Sequence, residues 1–172
     1  MFFFGHVFVS VALYMALVAV FEILPSYADR TWCSSRVFLG AWALSMVLSL
    51  SAYPLYLLPD FDGPIWLRWV GQIISYGDVV PVLAVCAYGA TALFWLCGIR
   101  WNAASGLLFL ALWGCATGIV PGIADATLVL LHATNETPTT PVPWVPGHFQ
   151  FYVSLGLLPM VLGLMSHATT AD

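Results

Sequence analysis

The sequence predicts an all-α integral membrane protein, a bundle of five transmembrane helices forming one domain over residues 1–172. Three observations carry that expectation. Of the 172 residues 62% are apolar and only 7% are charged, with four arginines and no lysine; a water-soluble domain keeps roughly 25% of its residues charged. Five apolar stretches reach the ~20 residues that a helix needs to cross ~30 Å of hydrocarbon. None of the five alternates apolar and polar residues as the strands of a membrane barrel would.

The spans follow in order. Phe2 to Leu24 carries no charge before Glu22 and stops at Pro25. It lacks a basic leader, which reads as a retained span rather than a cleaved signal. Val37 to Leu58 is uncharged and ends in the turn Pro59-Asp60. Trp66 to Gly98 is long enough to tilt or extend past the membrane, and it contains Asp78 and Pro81. Asn102 to Leu131 is interrupted by Pro121-Gly122 near its end, and His148 to His167 completes the set. An internal proline frees one backbone carbonyl, which neighbouring helices can satisfy, so kinks are expected there rather than breaks.

The connections differ in character. Pro25 to Arg36 is polar and holds Arg30 and Arg36; Pro59 to Pro64 is a tight acidic turn; Cys97 to Trp101 is a short hairpin with Arg100. Ala133 to Gly147 carries Pro138, Pro141, Pro143 and Pro146, which favour extended backbone. Its Asn135-Glu136-Thr137 fits the glycosylation acceptor pattern, a short and common one. Arg30, Arg36 and Arg100 fall on one side and Arg68 on the other. By the positive-inside rule the amino terminus is then outside and the carboxyl terminus cytoplasmic.

Several functions are disfavoured. A net charge of −4 cannot neutralise a run of phosphates, so nucleic acid is not an expected partner. No internal repeat supports a transporter of inverted halves, and spans two and five lack polar groups lined through the midplane, as a transport path would want. Cys33, Cys86, Cys97 and Cys115 share no metal-ligand spacing, and the last three fall in apolar runs as small core residues do.

Candidate chemistry rests on the intramembrane ionisable groups. His6 lies near the outer end of span one and His148 opens span five on the same side. At like depth they either face a common cofactor or are separate hydrogen-bonded interfacial histidines. His132 ends span four on that side, and His167 is expected as a solvated end residue. Asp78 reads as a proton-path group or a packing residue bonded to Ser75 or Tyr76, Asp125 as a residue reaching water, and Glu22 as a snorkelling end group. Trp66, Trp69, Trp101 and Trp144 stand near span ends, as an interfacial belt does.

The histidine segments resemble a known family. Phe3-Phe4-Gly5-His6 ahead of an apolar helix resembles the sixth helix of heme-copper oxidase subunit I. Trp144-Val145-Pro146-Gly147-His148-Phe149 resembles its tenth helix in the B-family oxidases and their nitric-oxide-reducing relatives, and Pro64-Ile65-Trp66 leading to Pro81 looks like the start of the eighth. The resemblance covers almost the whole chain as helices six to ten. It implies a respiratory or nitrogen-oxide electron-transfer complex in a bacterial or archaeal plasma membrane.

Carried over residue by residue, the resemblance makes His148 the proximal ligand of a high-spin heme iron, sets His6 on the distal side, and brings His132 toward the propionate end. Copper is not expected, because the family's histidine pair falls where this chain has Tyr53-Pro54, and an N-ligand copper site needs several imidazoles. Ser10 stands where oxygen-reducing members carry a tyrosine, and Gln150 where the low-spin heme takes a histidine. The expected protein is therefore a subunit that is not catalytic alone. It works with other membrane subunits, including a chain that supplies the missing helices. The alternative is a degenerate, metal-free structural subunit of a larger membrane complex.

Overall fold

The structure is a computed structural model and describes residues 2–32, 35–56, 64–134 and 150–170. These residues form five helices, and no strand occurs among them. Helix α1 spans Phe2–Ile23 and is followed by a 3₁₀ turn at Leu24–Tyr27. Pro25 sits at the start of that turn, where its fixed φ and missing N–H end the α-helical ladder. Helix α2 spans Arg36–Tyr56, and the Ser35 hydroxyl caps it by accepting from the Phe38 N–H at 3.1 Å.

Helix α3 runs over 65–97. It is α-helical over Ile65–Leu83, widens into a π turn at Ala84–Tyr88, returns to α at Gly89–Ala92, and widens again over Leu93–Cys97. Pro81 lies inside it without breaking it. The helix stops at Gly98, whose φ of 69° suits a residue without a Cβ.

Helix α4 spans Ala103–Thr134 and passes through Pro121 unbroken. Its start is capped reciprocally: the Ser105 N–H donates to Asn102 Oδ1 at 2.8 Å, and the Asn102 N–H donates to Ser105 Oγ at 2.9 Å. Helix α5 occupies 150–170, with a π segment at Tyr152–Leu157 leading into α-helix at Leu158–Thr170.

Each helix packs on the next in sequence, and α5 returns to pack on α1, closing the ring of contacts. On α1 the buried stripe is Leu13, Leu17, Val20 and Leu24, one side of a helix of 3.6 residues per turn. It meets Cys86, Ala90 and Leu93 of α3, Leu108, Leu112 and Cys115 of α4, and Met160 of α5. The three cysteines expected in the core, Cys86, Cys97 and Cys115, are buried there as free thiols.

The outward faces carry many large apolar side chains. Met15 is 69% exposed, Val80 70%, Trp95 74% and Val120 69%. A surface of this kind belongs in lipid, since each such side chain left in water forgoes about 1.5–3 kcal/mol of burial. Among the described residues three helical stretches, Val79–Cys97, Ala103–Pro121 and Tyr152–Thr169, are long and apolar enough to cross a membrane; Val11–Tyr27 and Arg36–Ser51 are shorter apolar stretches.

One end of the bundle is clasped. The loop after α1 pairs with the loop after α3 through an isolated bridge between Ala28 and Ile99. The Asp29 N–H donates to Gly98 O, the Arg30 N–H to Cys97 O and the Arg100 N–H to Tyr27 O, at 3.1, 3.1 and 2.8 Å. Arg100 also donates to Ser26 O at 3.1 Å and stands 3.6 Å from Asp29. The first and third loops therefore lie on one face, as the helix count requires.

Candidate functional site

The candidate histidines are unevenly placed. His6 lies on α1 and His132 in the last turn of α4, with side chains outside the described residues; His148 lies outside the described residues altogether. The side chains of Asp78 on α3 and Asp125 on α4 are likewise outside them, as is the segment with Asn135. Glu22 is exposed at the end of α1. Among the described residues no three of His, Cys, Asp and Glu converge as a metal site would need.

His167 departs from expectation. It is half-buried rather than solvated, because Tyr27 reaches it from the turn after α1. The Tyr27 hydroxyl stands 2.7 Å from His167 Nδ1, and the two rings meet edge to face at 5.6 Å. With Nε2 protonated, Nδ1 accepts the Tyr27 proton. The contact ties the clasped end of α1 to the last turns of α5.

That tie belongs to the packing of α1 on α5, so the helix that carries His6 lies against the helix that His148 precedes in sequence. Gln150 is exposed and donates through Nε2 to Ser154 Oγ at 3.1 Å, a bond within its own helix.

A polar cluster that sequence reasoning missed lies deeper. Tyr14 of α1 hydrogen-bonds Ser49 of α2 and stands 3.4 Å from Ser45 Oγ. Ser45 and Ser49 are 2% and 7% exposed, so these hydroxyls meet inside the bundle. The signal was available: Ser45 and Ser49, four apart in an otherwise apolar run, share one helix face. Beside them Tyr14, Leu17, Trp42, Ser45, Val82 and Val85 line a shallow, largely apolar crevice too small to admit a water molecule.

The interface of α4 and α5 is closed by small residues. A Cβ on Gly114 would fall on the Leu155 carbonyl oxygen, and one on Gly156 would come 2.6 Å from Cys115 Sγ. Gly118 lies against the Tyr152 ring and Gly163 against Leu108. Such contacts bring two backbones together and leave no slot between them.

No protein-family model matches the chain, and neither the curated proteins nor the solved structures compared with it gave a match.

Proposed function

We propose that this chain is a membrane subunit like heme-copper oxidase subunit I. In this reading it holds one high-spin heme iron through His148 within a respiratory or nitrogen-oxide electron-transfer assembly. The observation that supports the reading is the packing of α1 on α5, which pairs the helix carrying His6 with the helix that His148 precedes in sequence. Neutral imidazole is a sound axial ligand for heme iron, and such an iron with an open position supplies binding of a diatomic gas. The donor set does not suit copper, for which Tyr53 and Pro54 offer no imidazole.

In this reading the amino terminus lies outside and the carboxyl terminus in the cytoplasm of a bacterial or archaeal cell, and partner subunits supply the rest of the site. The test is a reduced-minus-oxidised and carbon-monoxide difference spectrum of the purified complex, wild type against His148→Ala. A carbon-monoxide-reactive heme lost in the variant supports the assignment; spectra without that heme, or unchanged by the substitution, overturn it. The second reading, a metal-free structural subunit, draws on the close contacts of Gly114, Gly118, Gly156 and Gly163, which suit a chain that keeps the fold for packing.

A further inference from the structure

The clasped face carries two arginines that the bundle does not use. Arg100 is matched by Asp29 and by the Ser26 carbonyl. Arg30 and Arg36 are exposed, and neither makes an ion pair among the described residues. Glu22 follows Phe21 on α1. Phe21 packs on Trp32, Phe38 and Trp42 at 5.8, 5.0 and 6.2 Å, so Glu22 is turned about 100° away from α2, and among the described residues neither guanidinium has an acid partner.

The two arginines stand at different depths. The Arg30 N–H donates to Cys97 O at the end of α3. Ser35, next to Arg36, accepts from the Tyr88 hydroxyl at 3.2 Å, and Tyr88 comes nine residues before Cys97. Phe38 in the first turn of α2 also lies against Gly89, so α2 begins deeper than the Arg30 backbone. Between these levels the chain passes through Trp32, which packs on Phe21 and Phe38, and Trp95 is exposed on α3 at 74%. Tryptophans at this depth mark the interfacial layer, where headgroup phosphates lie.

From these positions the geometry points to a binding site for an anionic phospholipid headgroup on Arg30 and Arg36, beside the recessed start of α2. A guanidinium donates two N–H groups to a phosphate at once, and a second guanidinium offset along the membrane normal meets the same headgroup from the other side. The acyl chains then lie along the apolar flank, where Val37, Leu44 and Val47 of α2 are exposed. This site is independent of any heme.

The test uses the full chain in phosphatidylcholine vesicles with and without phosphatidylglycerol, followed by gentle detergent extraction and native mass spectrometry of the retained lipid. Wild type is expected to retain phosphatidylglycerol over phosphatidylcholine. Arg30→Gln and Arg36→Gln each lower that preference roughly fivefold, as expected of one arginine near an anionic surface. Arg68→Gln, at the start of α3 on the other face, leaves it unchanged, and Arg36→Lys keeps most of it. Helicity by circular dichroism shows that each variant is folded, and the Lys variant carries the test if the Gln variants are not. Equal retention of both lipids by wild type, an equal loss in Arg68→Gln, or displacement of the lipid by millimolar inorganic phosphate would overturn the assignment.

Discussion

The pair α1/α2 and the pair α4/α5 are both joined inside the same apolar bundle, yet by different means. Between α1 and α2 the contact is polar: Tyr14 bridges to Ser45 and Ser49, and the ends are stitched by Phe21, Phe38 and Trp42. Between α4 and α5 it is steric: Gly114 and Gly118 face Leu155 and Tyr152, while Gly156 and Gly163 face Cys115 and Leu108. In lipid there is no hydrophobic gain from bringing two apolar helices together, so association depends on close van der Waals contact or on hydrogen bonds. This chain uses one device on each side of the ring. The steric side tolerates change less, because a backbone carbonyl cannot move aside as a hydroxyl can.

The largest effect is therefore expected at Gly114. Gly114→Ala drives a methyl onto the Leu155 carbonyl, which belongs to the helix backbone, and α4 and α5 must separate. A loss of about 3 kcal/mol or more is expected, the upper end of overpacking costs, measured by reversible unfolding in mixed micelles. A loss under about 0.5 kcal/mol, within the range of an ordinary surface change, would break the steric account of this interface. Gly156→Ala meets only Cys115 Sγ at 2.6 Å, and that side chain can turn. The expected loss is about 1–2 kcal/mol, and the double variant with Cys115→Ala should recover part of it, which a coupled pair does and an independent pair does not.

Tyr27→Phe comes next. It removes the hydroxyl that meets His167 Nδ1 but keeps the ring contact, so about 1 kcal/mol is expected, the ordinary net worth of one hydrogen bond. Protease nicking near the last turn of α5 should rise in this variant, since α5 loses a tie to the clasped end. Unchanged nicking would mean that α4 alone holds α5.

The extent of each helix was legible in the sequence because lipid imposes one rule on every span, namely length and apolarity, and α1 to α5 begin and end within a few residues of the apolar runs. The internal prolines do not break their helices: Pro81 and Pro121 sit inside continuous helix. The π turns at Ala84–Tyr88, Leu93–Cys97 and Tyr152–Leu157 were not legible, since one extra residue per turn leaves composition unchanged. His167 was misread for a related reason. Its proximity to the carboxyl end suggested water, whereas its partner Tyr27 lies 140 positions away in sequence. Of the candidate site, the side chains of Tyr14 and Gln150 are among those described, while those of His6, Ser10 and His132 are not, and the resemblance rests on His148, outside the described residues.

The smallest expected effect bears most directly on the polar side of the comparison. A double-mutant cycle of Tyr14→Phe and Ser49→Ala isolates the hydroxyl pair from the packing of the ring. Hydrogen bonds between membrane helices average about 0.6 kcal/mol and reach at most about 1.7 kcal/mol, because the separated helices find other partners. Here Ser49 has one at hand: a serine hydroxyl in a helix turns back to the carbonyl four residues earlier, as Ser51 does toward Val47 O at 2.7 Å. Removing Tyr14's hydroxyl therefore leaves no orphaned donor, and a coupling near 0.6 kcal/mol is expected. A coupling above about 2 kcal/mol would exceed what such a bond supplies in lipid, and would mark Tyr14, Ser45 and Ser49 as a network held for a purpose other than helix association.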